Sequence, residues 1–186
     1  MAAARRQTYV ALLRAINLGS RNKVPMPALR ELFEELGGEE PETYLQSGNV
    51  VYRCPSSAKA ASEAAIERAI EKQFGHTIRV LLRTAAQLRK VAADNPFAAG
   101  PDDSRALHVT FLVDTPKRAL VSALDPQAFA PDEFRVIRRE VYLNCPGGYG
   151  RSKLNNAYFE KALGVAGTTR NWRTTTALAE LAAARR

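Results

Sequence analysis

Apolar and polar positions change their spacing along this chain in an order that reads as strand, helix, strand, strand, helix, strand, and then repeats. Thr8 to Ile16 is an apolar run rich in Val, Leu and Ile, which predicts a strand. A polar loop, Asn17 to Lys23, follows and contains Gly19. Pro25 and Pro27 open a helix, where the first turn tolerates proline, and Leu29, Leu32, Phe33 and Leu36 fall on one face. Gly37 and Gly38 end it. Short strands are predicted over Thr43 to Gln46 and Val50 to Arg53, joined by a turn or bulge at Ser47-Gly48-Asn49. Ser56 or Ser57 is the expected cap of a long helix to Phe74 with Ile66, Ile70 and Phe74 on one stripe; Ile78 to Thr84 is the next strand and Ala85 to Ala93 an additional helix.

After a connector interrupted by Pro96, Gly100 and Pro101, the order returns. Leu107 to Val113 is a strand, Pro116 starts a short helix to Leu124, and Phe134 to Ile137 with Val141 to Asn144 forms a hairpin. Ser152 is the expected cap of a helix to Leu163; Thr168 to Asn171 is a strand and Thr174 to Ala184 the last helix. Two residue matches accompany the repeated order. Val51-Tyr52-Arg53-Cys54-Pro55 resembles Val141 to Pro146 with one insertion, and Arg83-Thr84 precedes a Leu/Val/Ala helix as Arg173-Thr174 does. The expectation is an α+β protein, a duplicated ferredoxin-like (βαββαβ) α-β plait with an extra helix after each repeat. Its halves are 1–94 and 107–186, with 95–106 as connector. Tyr52 and Tyr142 are expected at equivalent positions, packing between the halves.

Composition narrows the function. Hydrophobic residues at 46% and charged residues at 25% are ordinary for a folded protein. No apolar run approaches the ~20 residues that span a bilayer. The expectation is a cytoplasmic protein without a membrane partner. Lys and Arg number 27 against 19 acids, a net charge of +8 that attracts anionic partners. Cys54 and Cys145 are too few and wrongly spaced for a structural zinc site and are expected as two buried thiols. With two histidines and no HExxH, GxSxG, DFG or Walker A pattern, no catalytic motif stands out. No cofactor or metal is expected.

The candidate chemistry is polar and cationic. Gly147 to Lys153 reads G-G-Y-G-R-S-K, in which Arg151, Ser152 and Lys153 precede a helix, a pattern able to hold a phosphate or carboxylate or simply to form a capped loop. The loop after the first strand offers Arg14, Asn17, Arg21, Asn22 and Lys23 at a strand end, where ligand crevices commonly lie. Ser47 and Asn49 serve the turn first. Arg170, Asn171 and Trp172 sit in a segment richer in polar groups than a plain strand needs; Trp172, the only tryptophan, either stacks on a ring or plugs a junction. The RNA-binding RNP1 pattern is absent from both halves.

Tyr9-Val-Ala-Leu-Leu-Arg14-Ala-Ile-Asn17, Asn22-Lys-Val-Pro-Met26, Thr43-Tyr-Leu-Gln-Ser-Gly-Asn-Val-Val-Tyr52, Asn95-Pro-Phe97, Gly150-Arg-Ser-Lys-Leu154 and Thr168-Thr-Arg-Asn-Trp172 together resemble the domain of unknown function family 1697 across nearly the whole chain. The family reads Leu-Arg-Gly-Ile-Asn where this chain has Ala15. The resemblance implies the duplicated plait and no activity. Its polar motif residues, at Arg14, Asn17, Lys23, Ser47, Asn49, Ser152, Lys153, Arg170 and Asn171, are not what a packed core requires. The functional expectation is a non-enzymatic protein binding a phosphate-bearing ligand, a nucleotide or RNA, in a cleft between the halves. The rivals are a cofactor-free enzyme on a phosphorylated or acidic metabolite and a protein-interaction adaptor. Nothing in the sequence reports the oligomeric state.

Overall fold

In the computed structural model, which describes residues 6–98 and 105–185, eight strands form two four-stranded antiparallel sheets with six α-helices among the described residues. The chain divides into two compact units: Met1–Lys90 with Leu178–Arg186, and Val91–Ala177. Gly100 and Pro101 of the expected connector lie outside the described residues.

The first unit runs β1 (Arg6–Leu13), α1 (Met26–Glu35), β2 (Glu39–Tyr44), β3 (Asn49–Pro55), α2 (Glu63–Phe74) and β4 (Val80–Thr84), followed by α3 (Ala85–Ala93). Its sheet order is β2-β3-β1-β4. Alternation along the strands sends Ala11, Leu13, Val50, Tyr52, Val80 and Leu82 into one core with Leu29, Leu32 and Phe33 of α1 and Ile66 and Ile70 of α2. The intervening Val10, Leu12, Val51 and Leu81 are equally buried. The second unit repeats this order with β5 (Leu107–Leu112), α4 (Arg118–Ser122), β6 (Glu133–Ile137), β7 (Glu140–Asn144), α5 (Asn156–Leu163) and β8 (Gly167–Asn171), followed by α6 (Trp172–Ala184). Its sheet order is β6-β7-β5-β8, and Leu112, Val141, Leu143, Leu154, Phe159 and Leu163 build its core.

Several local expectations shift, each for a physical reason. The second strand occupies Glu39–Tyr44, starting four residues and ending two residues earlier than the apolar pattern suggests. It is an edge strand with Pro41 and a register shift, and an edge tolerates both a missing donor and polar side chains. Neither Ser56 nor Ser57 caps the long helix. A short 3-10 turn at Lys59–Ala61 intervenes, and the Ser62 hydroxyl accepts from Ala65 N at 3.4 Å. Ser152 is likewise not the cap of α5. The Asn155 side chain accepts from Tyr158 N at 3.0 Å, while Ser152 Oγ accepts from Leu154 N.

Strand pairing also corrects how the halves match. Tyr9 pairs with Tyr52, whose ring lies in the first core beside Phe33 at 4.8 Å and whose hydroxyl donates to Ala60 O at 2.6 Å. Tyr142 pairs with Val109 on the sheet face opposite Leu143 and donates instead to Val91 O at 3.4 Å. The common anchors are Cys54 and Cys145, both buried in the cores of their units, so the one-residue insertion puts the two tyrosines on opposite faces. At the last strand of each sheet, Arg83 faces Val10 as Arg170 faces Val109. The true counterpart of Arg83 is therefore Arg170 and not Arg173. The mistaken match is displaced by three residues, nearly one helical turn, which preserves the apolar face and so hides the error.

Candidate functional site

The polar loop after β1 is built around left-handed backbone. Ala15, Asn17, Gly19 and Asn22 all have positive φ, between 48° and 59°. Asparagine and glycine adopt this region readily, whereas alanine carries about 1 kcal/mol of strain there. The position at which the family motif has glycine is thus one where the backbone turns left-handed. Side chains then close the loop: Asn17 Nδ2 donates to Val24 O and Gln46 O, both at 3.0 Å, its Oδ1 accepts from Val24 N at 2.9 Å, and Asn22 Nδ2 donates to Ala15 O at 3.0 Å. Leu13 N donates to Gly48 O and Arg14 N to Arg79 O, which ties the end of β1 to the β2–β3 turn and to the start of β4. Gly48 suits this position, since its φ is +78° and a Cβ would stand 2.8 Å from both Ile16 Cγ1 and Leu13 Cβ.

Two concavities flank this loop. One of about 470 Å³ is lined by Arg14, Ala15, Asn22, Arg68 and Arg79 with Glu67 and Glu71. Its acids are already occupied. Glu67 accepts from Val80 N and faces Arg79 at 3.6 Å, and Glu71 accepts from the Thr77 hydroxyl at 2.8 Å. The other, about 340 Å³, is lined by Asn17, Gly19, Lys23, Val24, Pro25 and Gln46. Arg68, Arg79 and Gln46 escaped the sequence reading because they lie on α2, just before β4 and in the β2–β3 turn, and only the tertiary fold brings them to the loop.

The expected residues divide by role. Asn49 is fully buried and donates to Tyr44 O at 2.8 Å and Ser47 Oγ at 3.0 Å, so both serve the turn. In the second unit Arg151 and Lys153 are exposed on the loop before α5. Arg170 is 7% exposed, and its guanidinium donates to Thr168 Oγ1 at 2.8 Å and Thr169 O at 3.0 Å. Burial lowers its pKa to about 10. Asn171 Oδ1 accepts from Thr174 N at 2.7 Å, and Trp172 opens α6, half-buried. Arg14, Asn17, Lys23, Ser47 and Asn49 therefore gather at one end of the first unit. Arg151, Ser152, Lys153, Arg170, Asn171 and Trp172 belong to the second.

The second unit carries a polar group the sequence did not single out. The Thr110 and Thr169 hydroxyls meet at 2.7 Å across the sheet, Thr169 donates to Asn156 Oδ1 at 2.8 Å, and Tyr149 donates to Thr169 Oγ1 at 3.1 Å. His108 stacks on Tyr149 at 4.5 Å, and burial lowers its pKa despite the bond to Ala106 O. The hydroxyls satisfy one another, so this network holds the Gly147–Lys153 loop against the sheet. Cys54 and Cys145 are buried and unbridged, and burial raises the Cys54 thiol to about 11. Among the described residues, no three His, Cys, Asp or Glu side chains gather as a metal site requires, and no helix is long and apolar enough to cross a membrane.

Comparison with known proteins gives the fold company but assigns no chemistry. The conserved bacterial protein SP0830 from Streptococcus pneumoniae is similar in structure, with a TM-score of 0.69 and 21% identity over 96% of this chain and 99% of that one. No curated protein matches. The family model described as protein of unknown function (DUF1697) matches residues 6–142, well over half of the sequence, including the β1–α1 loop and the β2–β3 turn, and the chain belongs to that family.

Proposed function

We propose that the protein binds a phosphate-bearing ligand, a nucleotide or RNA, and that the β1–α1 loop of the first unit holds its anionic group. The observation that carries this reading is the gathering of Arg14, Arg68 and Arg79 around one concavity with only two carboxylates, Glu67, which is paired with Arg79, and Glu71, which accepts from Thr77, beside a second concavity lined by Lys23. The left-handed backbone of this loop fixes the places of Arg14 and Lys23, and a strained residue such as Ala15 is characteristic of ligand-holding segments. Asn17 and Asn49 act as clasps that position the cations. The net charge of +8 draws anions toward the surface.

The identical strand orders of the two sheets support a duplicated ferredoxin-like ancestry, and two free buried thiols favour a reducing, cytoplasmic compartment. A protein-interaction role has one observation in its favour. Leu18 and Leu45, 63% and 55% exposed, stand on the two loops that Asn17 ties together.

The test is an amide chemical-shift titration with inorganic phosphate, nucleotides and a short RNA at two salt concentrations. Saturable shifts at residues 14–24, weakened about tenfold or more in Arg14→Ala/Lys23→Ala, are the expected result. Shifts that bypass this loop, or equal affinity in the double variant, would sink the reading.

A further inference from the structure

A separate concavity of about 300 Å³ in the first unit is lined by Arg6, Arg53, Arg89 and Arg185 and by no carboxylate-bearing residue. These arginines are scattered along the chain, on β1, β3, α3 and the segment after α6. Thr8 pairs with Arg53 across β1 and β3, and Arg6 lies two residues before Thr8, so all three side chains share one sheet face. The Thr8 hydroxyl donates to Arg185 O at 3.3 Å, bringing the C-terminal segment to the same place.

The four cations are not equivalent. Arg6 is paired with Glu39 at 2.8 Å and Arg185 with Glu42 at 2.8 Å, and Arg185 also donates to Glu40 O. Both are thereby held in position at the rim. Among the described residues Arg53 and Arg89 form no ion pair. Like charges brought together repel unless an anion joins them. Ala85 and Ala182 supply a wall without bulky side chains. The first turn of α3 does not provide the donors. Its capping box is closed, with Thr84 N donating to Gln87 Oε1 and Gln87 N to Thr84 Oγ1.

We infer that this arginine-lined concavity is a second anion site, which takes the phosphoryl group of a small phosphorylated molecule. Guanidinium forks match phosphate oxygens two at a time. The charge is collected around one small hollow instead of being laid out as a stripe, which fits a compact ligand better than a polynucleotide backbone. Arg53 and Arg89 supply the open donors, and Arg6 and Arg185, fixed by their carboxylates, set the rim. The site shares no residue with the β1–α1 loop, so the two readings stand or fall separately.

Diphosphate is the probe, followed by calorimetry and by amide shifts. Binding that shifts residues 6–8, 53 and 85–89, falls about tenfold or more in Arg53→Ala/Arg89→Ala, and survives in Arg14→Ala/Lys23→Ala is the expected result. Because the side chains of the two substituted arginines hold no ion-pair partner among the described residues, circular dichroism should report an intact fold. Arg89→Lys, which keeps the charge but loses the fork, should bind between the two. The inference is overturned if diphosphate does not bind, if the Arg53/Arg89 variant binds it equally well, or if a ten-nucleotide RNA binds these residues and diphosphate cannot displace it.

Discussion

The two units share one strand order but use equivalent positions for different chemistry. Tyr9 and His108 occupy the same place, opposite the last residues of β4 and β8, Thr84 and Asn171. In the first unit Tyr9 stacks on Tyr52 at 6.0 Å and that face continues into an aromatic and aliphatic core. In the second, His108 stacks on Tyr149 and the face continues into the Thr110–Thr169–Asn156 hydroxyl and amide network. Loops at different places in the order differ as well: the first unit's β2–β3 turn is jammed against Ile16 and Leu13, whereas in the second unit's loop after β7 nothing lies within 4 Å of a Cβ added at Gly147 or Gly148. Pairing geometry therefore reproduces a scaffold while side-chain choice decides where it is dry and rigid and where it is polar.

The largest test of this contrast is at the glycines. Gly48→Ala should cost about 3 kcal/mol in chemical denaturation, from a clash with packed side chains added to a left-handed backbone. Gly147→Ala, in open space, should stay within about 0.5 kcal/mol of the parent. Equal effects would mean that the two loops are equally constrained.

The tyrosines come next. Tyr52→Phe leaves the buried Ala60 carbonyl without its donor and should cost about 1.5 kcal/mol. Tyr142→Phe loses a longer bond of 3.4 Å and should cost about 0.5 kcal/mol. A reversed order in the same denaturation series would contradict the ranking of these two hydrogen bonds.

The smallest effect is a pH dependence specific to the second unit. Desolvation lowers the folded-state pKa of His108 below its ordinary 6.5, so the unfolded chain takes up that proton first. Stability from this group is full above pH 6.5 and declines as the pH falls through the interval between the unfolded and folded values. Parent and His108→Gln, compared by denaturation from pH 7.5 to 5, should differ in slope below 6.5, the parent losing more. Parallel curves would show that the imidazole is as well solvated in the fold as out of it.

Much of the architecture was legible from local pattern. Helical spacing at Leu29, Leu32, Phe33, Ile66 and Ile70 identified residues that are buried, because a helix face depends on neighbours three and four positions away. The polar character of the β1–α1 loop was legible too. The work done by its asparagines was not: whether Asn17 faces a ligand or clasps Val24 and Gln46 depends on where a turn nearly thirty positions later returns.

The sequence by itself determined the order of elements, the repeat of that order and the excess of cations, since each follows from composition and short-range periodicity. Tertiary structure alone decided the matching of the halves. A strand reverses its faces with one inserted residue, and a helix hides a three-residue slip, so only pairing across the sheet could align Tyr52 with Leu143 and Arg83 with Arg170. Pairing likewise brought Arg53 onto the face that carries Arg6, and the return of the chain end added Arg185. Proximity of this kind is set by strand order and register, which no window of neighbouring residues contains.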